Sequence, residues 1–301
     1  MQLEALLNSL VNYWEQPYFD VHVLYRASSN SFQNGYERLM GLFPSVWFHQ
    51  EKAVSQKWYS LRELTDFYNL KLLYLCPHLR SHKSDFRQQL LSILLQEGAD
   101  TIMLLTDDAV FIRPIILSPA DLFWLSEAPT RRQLSLRHGQ ELIGECHPTS
   151  TADGYEWQFC DPQNNSHWSY RFSLDGHIYD RKILIMVLKC ASFSNPNTLE
   201  SGGLLHFCHR KMLTECRCGK NVCLLSYPLN IVQNTFSNEA LDVSPSILND
   251  YYLRGYSIQY PTVENISSFQ IYPDCIILHR DNERIVLQTR AVTSKIVSPQ
   301  E

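Results

Sequence analysis

The sequence predicts an α/β fold, and three observations carry that prediction. Short apolar, strand-like runs alternate with helical stretches through the first half of the chain. One run, Thr101-Ile-Met-Leu-Leu-Thr106, is apolar almost throughout, as a strand buried on both faces should be, and it ends in two adjacent carboxylates, Asp107 and Asp108. From about residue 130 the texture changes to shorter strands broken by polar loops. The first half therefore reads as a mainly parallel sheet with helices on both faces, the second as a mixed continuation of the same domain.

Taken in order, Leu3, Leu6, Leu7, Leu10 and Val11 fall at helical spacing and open the chain with an amphipathic helix. Val21–Tyr25 and Val46–Phe48 read as strands, the first followed by the turn-rich Ala27-Ser-Ser-Asn-Ser31. Helices are expected over 59–69 and 84–97, the latter capped by Ser84 and stopped before Gly98. Strands are then expected at Arg132–Arg137, Tyr155–Phe159 and His167–Phe172, with loops at Thr149–Gly154 and Asp161–Ser166. A helix over Asp180–Cys190, a turn at Ser194–Asn197, a helix from Thr198, a strand at Val222–Tyr227, a helix at Ser246–Leu253 and a strand-like tail from Phe269 complete the reading.

Composition narrows the function classes. The chain has 301 residues, enough for one large α/β domain with a sizeable core. Lys and Arg total 26 against 31 acids, a net charge of −5, and no basic run is interleaved with aromatics, so sequence-independent nucleic-acid binding is disfavoured. No stretch approaches the roughly 20 consecutive apolar residues of a spanning helix, and the N-terminus lacks the regions of a signal peptide. The expectation is a cytoplasmic protein whose nine cysteines are reduced thiols. Cys208, Cys216, Cys218 and Cys223, with His206 and His209, do not have the paired spacing of a zinc site.

Four motifs can carry chemistry. Adjacent carboxylates at a strand end repel one another unless a cation compensates them, and magnesium or manganese with substrate phosphates would do so; a solvated turn is the alternative. Ser173-Leu-Asp175-Gly-His177-Ile-Tyr179 puts an acid and an imidazole around a glycine, suited to metal binding, proton transfer or orienting a hydroxyl, or else to a plain turn. In Asn195-Pro-Asn197-Thr-Leu-Glu200, Asn197 or Thr198 is read as a helix cap and Glu200 as a first-turn acid favoured by the helix dipole. Asn230-Ile-Val-Gln233-Asn234 offers amides that suit sugar hydroxyls.

In this order the motifs, with Val23-Leu-Tyr-Arg26-Ala27, Gly35-Tyr36 and Ser84-Asp-Phe86, resemble bacterial glycosyltransferases of the GT-A, nucleotide-diphospho-sugar transferase fold. The resemblance covers nearly the whole chain. It implies a Rossmann-like, three-layer α/β/α domain with a mixed sheet, residues 1–128 binding the nucleotide sugar and 129–301 the acceptor. It also implies a strand before the first helix, so the chain reads as a GT-A domain lacking its first N-terminal strand. A full Asp-x-Asp pattern is not present around Asp107 and Asp108.

The implied reaction is metal-assisted, inverting transfer of a sugar from a nucleoside-diphosphate donor to a hydroxyl of a saccharide or lipid-linked saccharide. Peripheral association with the inner membrane surface would accompany a lipid-linked acceptor. Asp108 and Asp107 would hold Mn2+ or Mg2+, Asp107 also contacting the donor. Asp175 or Glu200 would act as base, Asp175 being preferred. Arg26, His177, Asn197, Asn230 and Gln233 would position donor or acceptor. The competing readings are a truncated, inactive binding protein and a metal-dependent phosphoester hydrolase.

Overall fold

Apolar side chains at three- and four-residue spacing put Leu6, Leu7 and Leu10 on one buried face of the first helix, and the same periodicity recurs along the chain. The computed structural model describes residues 1–14, 19–58, 81–143, 147–159, 167–191, 193–230 and 239–293. The elements in chain order are α1 (Gln2–Tyr13), β1 (His22–Tyr25), α2 (Asn30–Leu42), β2 (Trp47–Gln50), β3 (Ala53–Trp58), β4 (Ser81–Ser84), α3 (Phe86–Gln96), β5 (Thr101–Leu104), β6 (Ala109–Phe111), α4 (Pro119–Glu127), β7 (Arg132–Ser135), β8 (Thr149–Ser150) and β9 (Gly154–Gln158). They continue with β10 (His177–Asp180), α5 (Arg181–Cys190), α6 (Pro196–Arg210), β11 (Glu215–Gly219), β12 (Leu224–Ser226), β13 (Glu239–Leu241), α7 (Pro245–Leu253), β14 (Ser257–Gln259), β15 (Cys275–Arg280), β16 (Glu283–Gln288) and β17 (Ala291–Thr293).

The chain is α/β, but its largest sheet is not mainly parallel. Six strands run in the order β5-β10-β7-β11-β9-β8, and only the β7–β11 pair is parallel. The first half contributes just β5 to this sheet; β1 and β2 form a separate parallel pair. Among the described residues β5 pairs only with β10, and β1 only with β2, so each leaves one edge without a strand partner. Alternation between polar and apolar segments shows that strands and helices follow one another. It does not show which strands pair, because β10 inserts between β5 and β7 from a point far along the chain.

Helices cover both faces of β5 and β10. On one face α3, α5 and α6 bury Phe86, Leu94, Ile183, Leu184, Val187, Leu188, Leu199 and Phe207 against Tyr179, with Ile102 and Leu104 packed alongside. On the other, Leu6 and Leu10 of α1 and Trp124 and Leu125 of α4 meet Leu134, Ile178 and Phe111, with Met103 alongside. The strand period of two sends Ile178 to one layer and Tyr179 to the other. A further core gathers β12, α7 and the β14–β15–β16 sheet around Tyr227, Leu248, Tyr256, Ile276 and Leu278.

Several boundaries differ from the sequence reading. The segment expected to be a strand at His167–Phe172 is a 3₁₀ turn, His167–Ser169, followed by irregular chain, because Trp168 and Phe172 are buried without alternation between them. The helix expected after Ser84 starts at Phe86 with Asp85 as its cap residue. Asp180 caps α5, accepting from the amides of Lys182 and Ile183. The helix expected at 59–69 lies outside the described residues.

Candidate functional site

The strand register alone builds the centre of the site. His177 lies opposite Leu104 on β5 and opposite Ser135 on β7, both pairings antiparallel. Continuing two residues past these pairs sets Asp175 beside Thr106 on one side and Arg137 on the other. Backbone bonds extend the ladder that far: the Gly176 amide donates to the Leu104 carbonyl (2.9 Å), and the Leu136 amide to the Gly176 carbonyl (2.9 Å). Gly176 adopts φ +68°, and a Cβ there would come within 2.3 Å of Leu224, so this turn requires glycine.

Side-chain contacts complete the cluster. The Thr106 hydroxyl donates to Oδ1 of Asp108 (2.6 Å) and also contacts Oδ1 of Asp175. Nη1 of Arg137 pairs with Oδ2 of Asp175 at 2.6 Å. Arg137 is buried, its guanidinium lies 3.9 Å from the centre of the Phe269 ring, and Nη2 reaches the Ser226 hydroxyl at 3.4 Å. The amide of Tyr227 donates to the Asp108 carbonyl (2.8 Å), fixing the end of β12 beside the acidic turn. Oε1 of Glu200 accepts from the Leu174 amide (3.1 Å), so α6 holds the loop that carries Asp175.

Burial pushes the Asp108 carboxyl up, and the charges of Asp175 and Asp107 push it further. Burial also raises Glu200, with Asp175 as the second cause, to about 7. Asp107 is raised by crowding and by Asp175, but its side chain is exposed and water offsets much of that push. Tyr170 stands at the rim, hydrogen-bonded to Glu200, and burial together with that carboxylate keeps its phenol protonated. Asp108, Asp175 and Glu200 thus share one buried guanidinium, while Asp107 lies within electrostatic range of Asp175 and of the chain's amino group. That excess of negative charge suits a divalent cation bound through one or two carboxylates and completed by ligand phosphates. Among the described residues, no group of three or more His, Cys, Asp or Glu side chains forms a metal cage.

The expected residues divide into three groups. Asp108, Asp175 and Glu200 come together, with Asp107 next in chain. His177 does not join them: it is buried, its Nδ1 is bonded to the Gln133 side chain (2.9 Å), and burial holds it neutral, so it supports the sheet rather than facing a ligand. Arg26 is exposed just beyond β1. Asn230 bonds Gln2 on α1 (3.0 Å). Asn197 is not the helix cap; Asn195 is, in a reciprocal capping box with Thr198. Glu200 consequently lies beyond the first turn, and its carboxylate serves the Leu174 amide rather than the helix end. Gln233 lies outside the described residues.

Sequence reasoning missed Thr106, Arg137, Ser226, Phe269 and Tyr170. Arg137 had one visible signal, a basic side chain at the end of a predicted strand. Its partner depended on the strand register. No protein-family model matches the chain, and no curated protein matches it.

Proposed function

We propose that this protein transfers a sugar from a nucleoside-diphosphate donor to an acceptor hydroxyl, within a domain of the GT-A type. The observation that carries the reading is the convergence of Asp108, Asp175, Arg137 and Glu200 from four separate segments. The resemblance described above supports it, and so does the helix cover on both faces of β5.

In this reading Asp107 and Asp108 would hold Mn2+ or Mg2+, which would supply positive charge against the departing diphosphate. Arg137 pairs with Asp175 and fixes its carboxylate in place, and Thr106 ties it to Asp108. Both Asp175 oxygens are engaged, which makes Asp175 a positioning residue. Glu200, tuned to about 7, is matched to accept the acceptor's proton near neutral pH. Tyr170, at the rim beside Glu200, orients its carboxylate toward that hydroxyl.

The test is transfer or hydrolysis assayed across a set of nucleotide sugars with Mn2+. Asp108→Asn should lower turnover by at least about a hundredfold, the scale of losing an electrostatic group that acts in the transition state, while circular dichroism and melting stay those of a folded protein. Undiminished turnover at saturating donor in this variant would overturn the assignment.

A further inference from the structure

Away from the carboxylate cluster, three arginines meet on a surface built by α2, α7 and β15. Gly255 follows the C-terminus of α7 with φ +92°, a conformation glycine adopts without strain. A Cβ at Gly255 would lie 3.4 Å from Cδ of Arg280 and 4.0 Å from Nη2 of Arg38, so both side chains pass over the turn. Nη1 of Arg280 donates to the carbonyl of Arg254 (2.9 Å), tying the third arginine to the same point.

An aromatic ring lies against each of these guanidinium groups. Arg38 lies 5.2 Å from the centre of the Tyr252 ring, Arg254 4.2 Å from Tyr251 and Arg280 4.7 Å from Tyr256. Tyr251 and Tyr256 themselves meet edge to face at 5.3 Å. The ring restricts each guanidinium, so less entropy is lost when an anion binds; Nε of Arg254 donates to the Asp250 carbonyl (3.3 Å), which leaves its terminal N–H groups for a ligand. Among the described residues, Glu283 is the carboxylate ion-paired with this group, at 2.7 Å from Nη2 of Arg280. Glu4 lies within electrostatic range of Arg38 but is buried beneath it. Arg38 and Arg254 are exposed and engage no carboxylate among the described residues. Guanidinium groups held in this way suit a multiply charged oxyanion.

We propose that Arg38, Arg254 and Arg280 form a binding site for a phosphate-bearing ligand, distinct from the Asp108–Asp175 cluster. The ligand's phosphate oxygens bridge the free N–H groups of Arg38 and Arg254, with Arg280 completing the positive rim. A phospholipid headgroup and a free phosphate or pyrophosphate present the same chemistry, and the experiment separates them.

The full-length chain is titrated with pyrophosphate by calorimetry in EDTA, which removes any cation-mediated binding at the carboxylate cluster. In parallel it is sedimented with phosphatidylcholine vesicles, with and without about one-third phosphatidylglycerol. The Arg38→Gln/Arg254→Gln double variant should melt at the wild-type temperature and bind at least about fivefold more weakly. Arg254→Lys, which keeps charge but loses the planar fork, should fall between. Pyrophosphate binding without vesicle binding identifies a soluble phosphate ligand; phosphatidylglycerol-dependent sedimentation identifies a headgroup. The proposal is overturned if neither ligand binds, if the double variant binds as tightly as wild type, or if Asp108→Asn abolishes binding that the arginine variants retain.

Discussion

One hydroxyl proton cannot serve two carboxylates at once, yet the Thr106 hydroxyl contacts both Asp108 and Asp175. The other oxygen of Asp175 pairs with Arg137 at 2.6 Å. The remaining contact is satisfied when Asp108 carries a proton, in keeping with the upward push that burial and neighbouring charge give it. Without a cation, the cluster therefore stores a proton near neutral pH. Glu200 makes the same point in a form that kinetics can read. Its carboxyl stands at about 7 in the folded chain against an ordinary value near 4.5. As a base it must be ionised, so kcat/KM should rise with pH along a limb centred near 7. Glu200→Gln should abolish that limb and lower turnover by about a hundredfold or more, the usual range for a general base. A variant that kept both rate and limb would show that another group takes the proton.

At the scale of elements, the turn between Leu174 and His177 sets the site more than any single strand does. Gly176 joins β5, β7 and the Asp175 loop through its amide and carbonyl, in a left-handed conformation beside Leu224. Gly176→Ala combines backbone strain with a clash against a buried leucine, and should destabilise the fold by roughly 2–4 kcal/mol. Chemical denaturation reads this directly, and a change below about 0.5 kcal/mol would mean that the turn relaxes freely. The glycine and the two groups around it were visible in the sequence as Asp-Gly-His. So were the apolar run leading to Asp107 and the helix after Asp180, because apolar periodicity is a local signal; α6, read as starting at Thr198, starts at Pro196 with Asn195 as its cap. Pairing was not visible. His177 reads as a ligand residue or part of a plain turn until β10 is known to be a strand between β5 and β7. Arg137 likewise gains its meaning only when an antiparallel register sets it opposite Asp175. The expected strand at His167–Phe172 failed for a related reason: aromatic residues there fill a core without alternating across a sheet.

For the whole molecule, the carboxylate cluster couples stability to pH, and under the proposed function to cations as well. Glu200 and Asp108 both have folded-state values above their unfolded ones, so between about pH 4.5 and 7 the folded chain binds more protons than the unfolded chain. Stability contributed by these groups is therefore present in mild acid and declines as pH rises through 7, the reverse of an ordinary ion-paired carboxylate. Their half-buried setting limits the effect to on the order of 1–3 kcal/mol in total. A divalent cation with a nucleoside diphosphate should recover this loss, because it replaces the stored protons with a stronger positive charge. Melting followed from pH 6 to pH 8 should show a small shift with Mn2+ and nucleoside diphosphate at pH 6 and a larger one at pH 8. Asp108→Asn should raise the melting temperature at pH 8 in the absence of cation and erase the cation-dependent shift. If the shift is the same at both pH values, or survives in Asp108→Asn, the cation binds elsewhere and the cluster is a proton-linked structural network instead of a donor site.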